Sequence, residues 1–441
     1  MNILLVGNGS REHAVAKAIK RSRHHTKLFT YGGATNPEIL KLSEEYYTGD
    51  MKDIDAMVEF AITNKVEFAF IGPENPIAEG VTDKLKEKNI PSVAPSQSLA
   101  RLESSKGFTR NLLKKYNIEG NPKFKNFEGT GQENEEKIKT FLSEIGENFV
   151  VKYDSLYGGK GVKVSGEHLH SQEEGLEYAK ECLNKCGKVV IEEKLIGQEF
   201  SLISIVDGKT VLDCPVIQDH KRAYSGDTGP NTGGMGTYSD SNHSLPFLIQ
   251  KNIDDAHKIN VDVMKTIEKE CGEKYKGIMY GGFIVTKNGV KLIEYNIRFG
   301  DPEAMNILPI MKTDFVDLCL AVINENLKDI SLDFEKVATV CKYVVPKGYP
   351  DNPLKGEKIE INKIPENCEV FYGSVEKTGD ELIMCGSRAL AFVGKGKNLE
   401  EAEIFAQKGV ESVKGKVFFR EDIGTKELIQ KRIDHMDIIR R

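Results

Sequence analysis

The sequence predicts a multidomain protein of mixed α/β and α+β class that begins with a doubly wound parallel sheet. Three observations predict it. In the first hundred residues short apolar runs alternate with helical stretches, the pattern of a parallel sheet covered by helices. From about Pro122 that alternation gives way to strands separated by turns, and Asn288-Gly289 between two strand-like runs signals an antiparallel hairpin. At 441 residues the chain is long enough for two to four domains with sizeable cores.

The elements follow in order. The runs NILLV, KLFTY, FAFIG and PSVAP read as the parallel strands, with helices over Arg11–Arg21, Met51–Asn64 and Glu79–Lys88 between them. A helix over Lys106–Tyr116 leads out of this unit. Beyond it lie helices at Glu133–Ile145 and Gln172–Cys182, and two antiparallel pairs, KVVIEEKLIGQEFSLISIVDG and GGFIVTKNGVKLIEYNIRF. A long helix over Leu245–Glu270 packs between those pairs. After about Ile330 a mixed segment holds ALAFVGKG, a helix at Leu399–Val413 and a basic terminus.

Composition narrows the class. With 61 basic and 67 acidic residues, the charge balance argues against a nucleic-acid binder relying on bulk electrostatics. No apolar run approaches the ~18 residues of a membrane span. MNILLVGNG starts as a strand and lacks the regions of a cleavable signal. The eight cysteines are scattered and show no CxxC pairing, as expected of reduced thiols in the cytoplasm.

Six stretches carry chemistry. Gly7 and Gly9 stand at a strand-to-helix turn that suits a phosphate, although tight turns need glycine for steric reasons anyway. A dinucleotide site would want an acid after the second strand, and TYGGATN has none. A phosphate monoester is the better reading. In FIGPENPIAEG, Glu74 sits beyond a strand's carboxyl end, in a loop that two prolines hold.

In KLIEYNIRFGDPE the period of two puts Glu294, Asn296 and Arg298 on one strand face, with Ile293, Tyr295 and Ile297 on the other. Glu and Asn supply the hard oxygen donors that magnesium prefers, and the arginine can neutralise a phosphoryl or carboxylate group beside the metal. VVIEEKLIGQEFSL offers Glu192, Glu193 and Glu199 around a glycine turn, either as ordinary strand acids or as partners for adenine and ribose. QDHKRAYSGDTGPNTGGMG is too polar for a core and reads as a long functional loop.

In FVVKYDSLYGGKGVKVSG the glycines and Lys160 run on into another strand pattern, so no helix end stands behind them. That differs from the familiar phosphate loop, which ends in a helix. A hairpin of this kind can instead lay backbone N–H groups and a lysine over phosphates as a lid.

Together these residues resemble the ATP-grasp ligases, and within them the phosphoribosylamine–glycine ligase family of purine biosynthesis. The runs GNGSREHA, GPENPIAEG, ESSKGFTR, GGKGV, QDHKRAYSGDTGPNTGGMG, IEYNIRFGDPE and FFREDIG carry the resemblance, in that order along the whole chain. It implies an N-terminal substrate domain at 1–105, an ATP-grasp domain at 106–329 with a mobile lid at about 122–190, and a C-terminal domain at 330–441. The reaction it implies joins glycine to 5-phosphoribosylamine through glycyl phosphate, with ATP giving ADP and phosphate.

The resemblance also implies roles. Lys106 and Lys152 meet the ATP phosphates, with Gly158, Gly159, Lys160 and Gly161 closing over them. Glu192, Glu193 and the backbone near Leu195 meet adenine, and Glu199 the ribose. Glu294 and Asn296 hold Mg2+ or Mn2+. Arg298, Asp219 and Lys221, with Asp227, Pro230, Asn231, Thr232 and Gly233, face glycine and the acyl phosphate; Arg298, Lys152 and Asp219 are the expected catalytic groups. Gly9, Ser10 and Glu12, with Glu74, bind the phosphoribosyl substrate. The implied partners are these small molecules, without nucleic acid or membrane, for a monomer or weak homodimer.

Two departures bear on the site. YGGFIV lacks the additional metal-binding carboxylate that many ATP-grasp enzymes carry on that strand, which leaves more of the coordination to phosphates and water. Tyr153, Ser155 and Tyr157 replace the usual small residues of the flap.

Overall fold

In the computed structural model, which describes residues 1–156 and 161–441, NILLV forms the central strand Asn2–Val6 of a five-stranded parallel sheet. The spatial order is Glu45–Thr48, Lys27–Gly32, Asn2–Val6, Phe68–Ile71, Ser92–Val93. Strand order therefore reverses between Asn2–Val6 and Phe68–Ile71. A crevice forms there beyond the strands' carboxyl ends, where such sheets take their ligands. Gly9 and Glu74 follow those two strands.

The expected loop around Glu74 is the first turn of a short helix, Glu74–Ala78, entered from Pro73. Proline suits an early helical position, which the turn dipeptides masked. The helix Pro37–Leu42 and the edge strand Glu45–Thr48 were not expected. Asn36 caps that helix by accepting from Glu38 N and Ile39 N. Glu45–Thr48 is mostly exposed and so shows no apolar run.

Residues from Phe124 to Glu193 build a separate unit. Its antiparallel sheet runs Phe124–Glu128, Lys188–Glu193, Phe149–Tyr153, Val162–Val164. Helices Gln132–Ile145 and Gln172–Cys186 cover one face. Phe127, Ile138, Phe141, Phe149 and Ile191 are among the side chains of a core distinct from that of the rest of the molecule.

Below it lies a second antiparallel sheet, Val211–Asp213, Gly197–Val206, Gly277–Thr286, Gly289–Asn296, backed by the helix Gln250–Cys271. The pairing of its last two strands slips between Gly282 and Phe283: Phe283 faces Leu292, whereas Gly282 faces Glu294. Ile293 is the extra residue. Such a bulge reverses the side-chain parity of the strand beyond it. Val290 and Leu292 point into the core before the bulge, and Tyr295 and Ile297 do so after it. Glu294, Asn296 and Arg298 are thus turned together to the opposite, half-buried face. The expected grouping of Ile293 with Tyr295 and Ile297 is corrected, because Ile293 is half-buried and lines the cleft.

The C-terminal part centres on Ala338–Pro346, buried along its length, with Leu390–Gly396 on one side. On its other side it pairs with Gly236–Ser239, which pairs in turn with Gln218–Asp219. The segment expected as a long loop is thus two short antiparallel pairs, and its ends belong to the C-terminal sheet. Its middle is a separate hairpin, Arg222–Tyr224 with Thr228–Asn231. The basic terminus is a helix, Lys426–Arg440, capped by Thr425 and packed on Gly197–Val206. Among the described residues no helix is long and apolar enough to cross a membrane.

Candidate active site

A cleft of about 860 Å³ opens between the lid-like unit and the lower sheet. Its lining includes Lys106, Lys152, Gly161, Glu193, Leu195 and Glu199, the side expected to meet ATP. It also includes Asp219, Lys221, Asn231, Thr232, Gly233, Glu294, Asn296 and Arg298. Pro230 is not among the lining residues. Gly158, Gly159 and Lys160 lie outside the described residues.

Beneath the lid Glu192 is buried between two cations. Its carboxylate accepts from Arg110 Nε at 2.7 Å and from its terminal nitrogen at 3.0 Å, and lies 2.7 Å from Lys152 Nζ. Burial pushes the Glu192 carboxyl up, but Arg110 and Lys152 outweigh it and hold it at about 2. Both carboxylate oxygens are committed, and the backbone of Glu192 lies in a strand paired on both sides. Glu192, itself part of the cleft lining, anchors Lys152 in the cleft wall.

Glu294 has a different setting. Its carboxylate makes no hydrogen bond or ion pair among the described residues, yet Lys221, Lys106, Lys152 and Arg298 surround it. Burial pushes the group up, and those four charges bring it below its ordinary value. Two residues on, Asn296 Oδ1 accepts from Arg298 at 3.1 Å.

The Arg298 guanidinium is held on several sides. Nε donates to Glu74 at 3.1 Å, one terminal nitrogen to Glu103 at 3.3 Å, and the other to the Phe299 carbonyl at 3.1 Å. Burial pushes the Glu74 carboxyl up, but Arg298 and then Arg11 bring it down to about 2. Glu103 is pushed the other way, to about 7, by burial, with the charges of Glu74 and Glu294 adding to it against Arg298. One guanidinium thus sits between an ionised and a near-neutral carboxyl. Glu103 was not a candidate, although it opens the run ESSKGFTR, because its partner Arg298 lies 195 residues along the chain.

At the other end Asp219 carries a pKa well above the carboxylate range, from burial and then from the charge of Glu303. Lys221 lies 3.3 Å from Glu199, and that pairing raises its pKa. Thr232 donates to the Lys221 carbonyl at 2.8 Å, fixing the turn. Asp227 pairs with Arg420 at 3.1 Å and also with Arg432. Both its carboxylate oxygens are held by these arginines at the edge of the cleft, which Asp227 also lines.

A smaller cavity of about 150 Å³ adjoins the cleft and is lined by Gly9, Ser10, Ser374, Ser387 and Arg388, among others. Arg388 donates to the carbonyls of Gly233, Gly234 and Asp301 at 2.7–2.9 Å, so it joins both spaces. It lies in the C-terminal region and was missed for that reason. Glu12 does not line this cavity. Its Oε2 accepts from Gly9 N at 2.7 Å and its Oε1 from Arg11 at 2.6 Å. A Cβ on Gly7, whose φ is +118°, would stand 2.6 Å from the Glu12 side chain. Glu12 thus supports the Gly7–Gly9 turn from below.

Known proteins match this arrangement. A model of the phosphoribosylglycinamide synthetase ATP-grasp domain matches residues 104–304. The corresponding N and C domain models match residues 1–103 and 339–426. The chain is 49% identical over 447 aligned residues to phosphoribosylamine–glycine ligase of Methanocaldococcus jannaschii, covering 100% of both chains. The chain belongs to the phosphoribosylglycinamide synthetase family. A phosphoribosylamine–glycine ligase crystal structure from Thermotoga maritima superposes with a TM-score of 0.78 at 27% identity, covering 96% of this chain and 100% of that one. Biotin carboxylase of Campylobacter jejuni, at 14% identity and a TM-score of 0.72, shares the fold, over 99% of this chain and 95% of that one.

Members of this ATP-grasp family use ATP with a divalent metal, and the residues here fit such an ion. Glu294 offers a carboxylate with no protein partner among the described residues, and Asn296 an amide oxygen two residues along the same face. Both are hard oxygen donors.

Proposed function

We propose that this synthetase-family chain ligates glycine to 5-phosphoribosylamine, giving glycinamide ribonucleotide, ADP and phosphate. The observation that carries the reading is Glu294, a carboxylate unpaired among the described residues, in the midst of Lys106, Lys152, Lys221 and Arg298. A cleft that gathers four cations around such an acid suits a metal-bound polyphosphate beside a second anion.

A glycine carboxylate oxygen attacks the γ-phosphorus of ATP. The bond from that phosphorus to the bridging oxygen breaks, giving glycyl phosphate and ADP. The amine nitrogen of phosphoribosylamine then attacks the glycyl carbonyl carbon, phosphate leaves with the C–O bonding pair, and the nitrogen loses a proton. Phosphoryl transfer between anions depends on positioning and charge neutralisation more than on a covalent nucleophile.

Lys106 and Lys152 hold the ATP phosphates, the Glu193–Leu195 stretch meets adenine, and Glu199 meets the ribose. Glu294 and Asn296 would hold Mg2+ or Mn2+, which would neutralise charge on the transferred phosphoryl group. Arg298 and Asp219, with Lys221 and the Asn231–Gly233 turn, take glycine and the acyl phosphate. Gly9, Ser10 and Arg388, with Glu74 nearby, receive the phosphoribosyl group in the smaller cavity. The lid at about 122–190 closes on ATP and keeps water from the acyl phosphate. We further propose domains at 1–105, 106–329 and 330–441, a cytoplasmic location and a monomer or weak homodimer.

The test is ADP and phosphate release with ATP and magnesium, phosphoribosylamine being generated in situ. Release that needs both glycine and phosphoribosylamine supports the reading; ADP release indifferent to glycine refutes it.

A further inference from the structure

The hairpin Arg222–Tyr224/Thr228–Asn231 feeds the cleft with Asn231 but has little of its own to hold its shape. Two-stranded hairpins are marginal alone. Here the pairing register also slips between Arg222 and Tyr224, and Gly226, Asp227 and Gly229 all take positive φ, 76°, 57° and 82°. Asp227 in that region is strained unless its surroundings impose it.

The surroundings come from the far end of the chain. Asp422 accepts from Gly226 N at 2.9 Å, and Arg420 donates to the Arg222 carbonyl at 3.1 Å. Arg420 and Asp422 lie within the matched C domain, which ends at residue 426. The next contact lies beyond it. Arg432, on the helix Lys426–Arg440, pairs with Asp227 and lines the cleft. The same helix reaches the nucleotide side, where His435 Nδ1 lies 2.6 Å from Gln198 Nε2, next to Glu199. One helix therefore touches both the hairpin and the wall that carries Glu199.

We infer that the C-terminal helix is a strut of the active site and that Arg432 is a positioning residue, fixing Asp227 and with it the substrate-side hairpin relative to the nucleotide wall. This rests on the proposed ligase reading for which substrate the hairpin serves. The bond is partly buried, with side-chain exposures of 16% and 25%, so it is worth more than a solvated surface pair. Among the described residues Asp227 is the sole partner of the Arg432 guanidinium, and its Nε is buried without one. A single contact of this kind can be made by an ammonium group.

The experiment uses the full chain with Arg432→Met and Arg432→Lys. Two readouts are taken: apparent KM for glycine and for ATP, and hydrogen exchange of the 222–231 amides. For Arg432→Met we expect the KM for glycine to rise roughly tenfold, the loss of one charge-assisted contact. The KM for ATP should stay within about twofold, and exchange in 222–231 should accelerate. Arg432→Lys should recover most of both. A folded Arg432→Met protein with wild-type glycine KM and wild-type exchange overturns the inference. So does a uniform loss of thermal stability with no split between the two KM values. Should Arg432→Met fail to fold, Arg432→Lys decides, since wild-type exchange and kinetics support the strut and a tenfold loss refutes it. If wild-type turnover ignores glycine, the ligase reading fails, while the exchange data still judge the strut.

Discussion

The Lys152 ammonium lies 2.7 Å from the Glu192 carboxylate, both buried, with Arg110 on the carboxylate's other side. Burial pushes the Lys152 pKa down, and the Glu192 charge resists that. The Arg110 charge adds to that lowering, so Glu192 alone of the three groups favours the charged lysine. Lys152 Nζ also donates to the Ile293 carbonyl at 3.4 Å, the residue that the bulge sets free.

Glu192→Gln should accordingly be severe. Removing one partner of a buried ionic set leaves uncompensated charge, and costs about 3–5 kcal/mol. Urea unfolding should show that loss, with the KM for ATP raised as Lys152 shifts. A variant of native stability with unchanged ATP affinity would exclude the anchoring role.

Glu103 predicts a pH dependence. Its carboxyl, pushed to about 7 by burial, takes up protons in the folded state that the unfolded chain releases near 4.5. A raised folded pKa stabilises fully below the unfolded value, and that stabilisation disappears as pH rises towards 7. The loss is on the order of 3 kcal/mol from the 1.36 kcal/mol per unit relation. Stability should therefore fall between pH 4.5 and 7, and Glu103→Gln should flatten the slope there. Identical slopes in variant and parent, from denaturant midpoints at several pH values, would contradict the assignment.

Much of this was legible in the sequence, and what was not has physical reasons. The buried parallel strands read directly as apolar runs, while the edge strand Glu45–Thr48, short and little buried, left no such trace. Alternation correctly grouped Glu294, Asn296 and Arg298, but it misassigned Ile293, since a one-residue bulge is invisible to a period of two. Glu12, Glu192 and Asp227 were read as ligands for substrate because they are acids in the right motifs. Their protein partners, Arg11, Arg110, Arg420 and Arg432, are not shown by those motifs. All but the first pair come from segments far apart in the chain. Arg388 reaches both cavities from the C-terminal region by the same kind of long-range approach.

Arg298→Lys tests geometry rather than charge. The guanidinium bridges Glu74, Glu103, Asn296 and the Phe299 carbonyl, a planar spread no ammonium can span. Turnover should drop roughly 100-fold from misplacement of the reacting groups. Near-normal kcat/KM for glycine would take Arg298 out of the site. Arg432→Lys should behave differently, since its one contact is expected to survive the exchange.

Glu294→Gln separates the metal role from general electrostatics. The amide keeps the shape and one oxygen donor but removes the charge that opposes Lys106, Lys152, Lys221 and Arg298. Divalent-ion affinity should weaken by about 10- to 100-fold, the range seen when the groups supporting a metal are altered. Mn2+ binding followed by electron paramagnetic resonance reads this without turnover. Activity at saturating metal should stay well below the parent's, and chelation should abolish what remains in both proteins. Were Glu294 only a counter-charge for the four cations, the variant would bind nucleotide phosphates more tightly with unchanged Mn2+ affinity. That outcome would move the metal to other oxygen donors in the cleft.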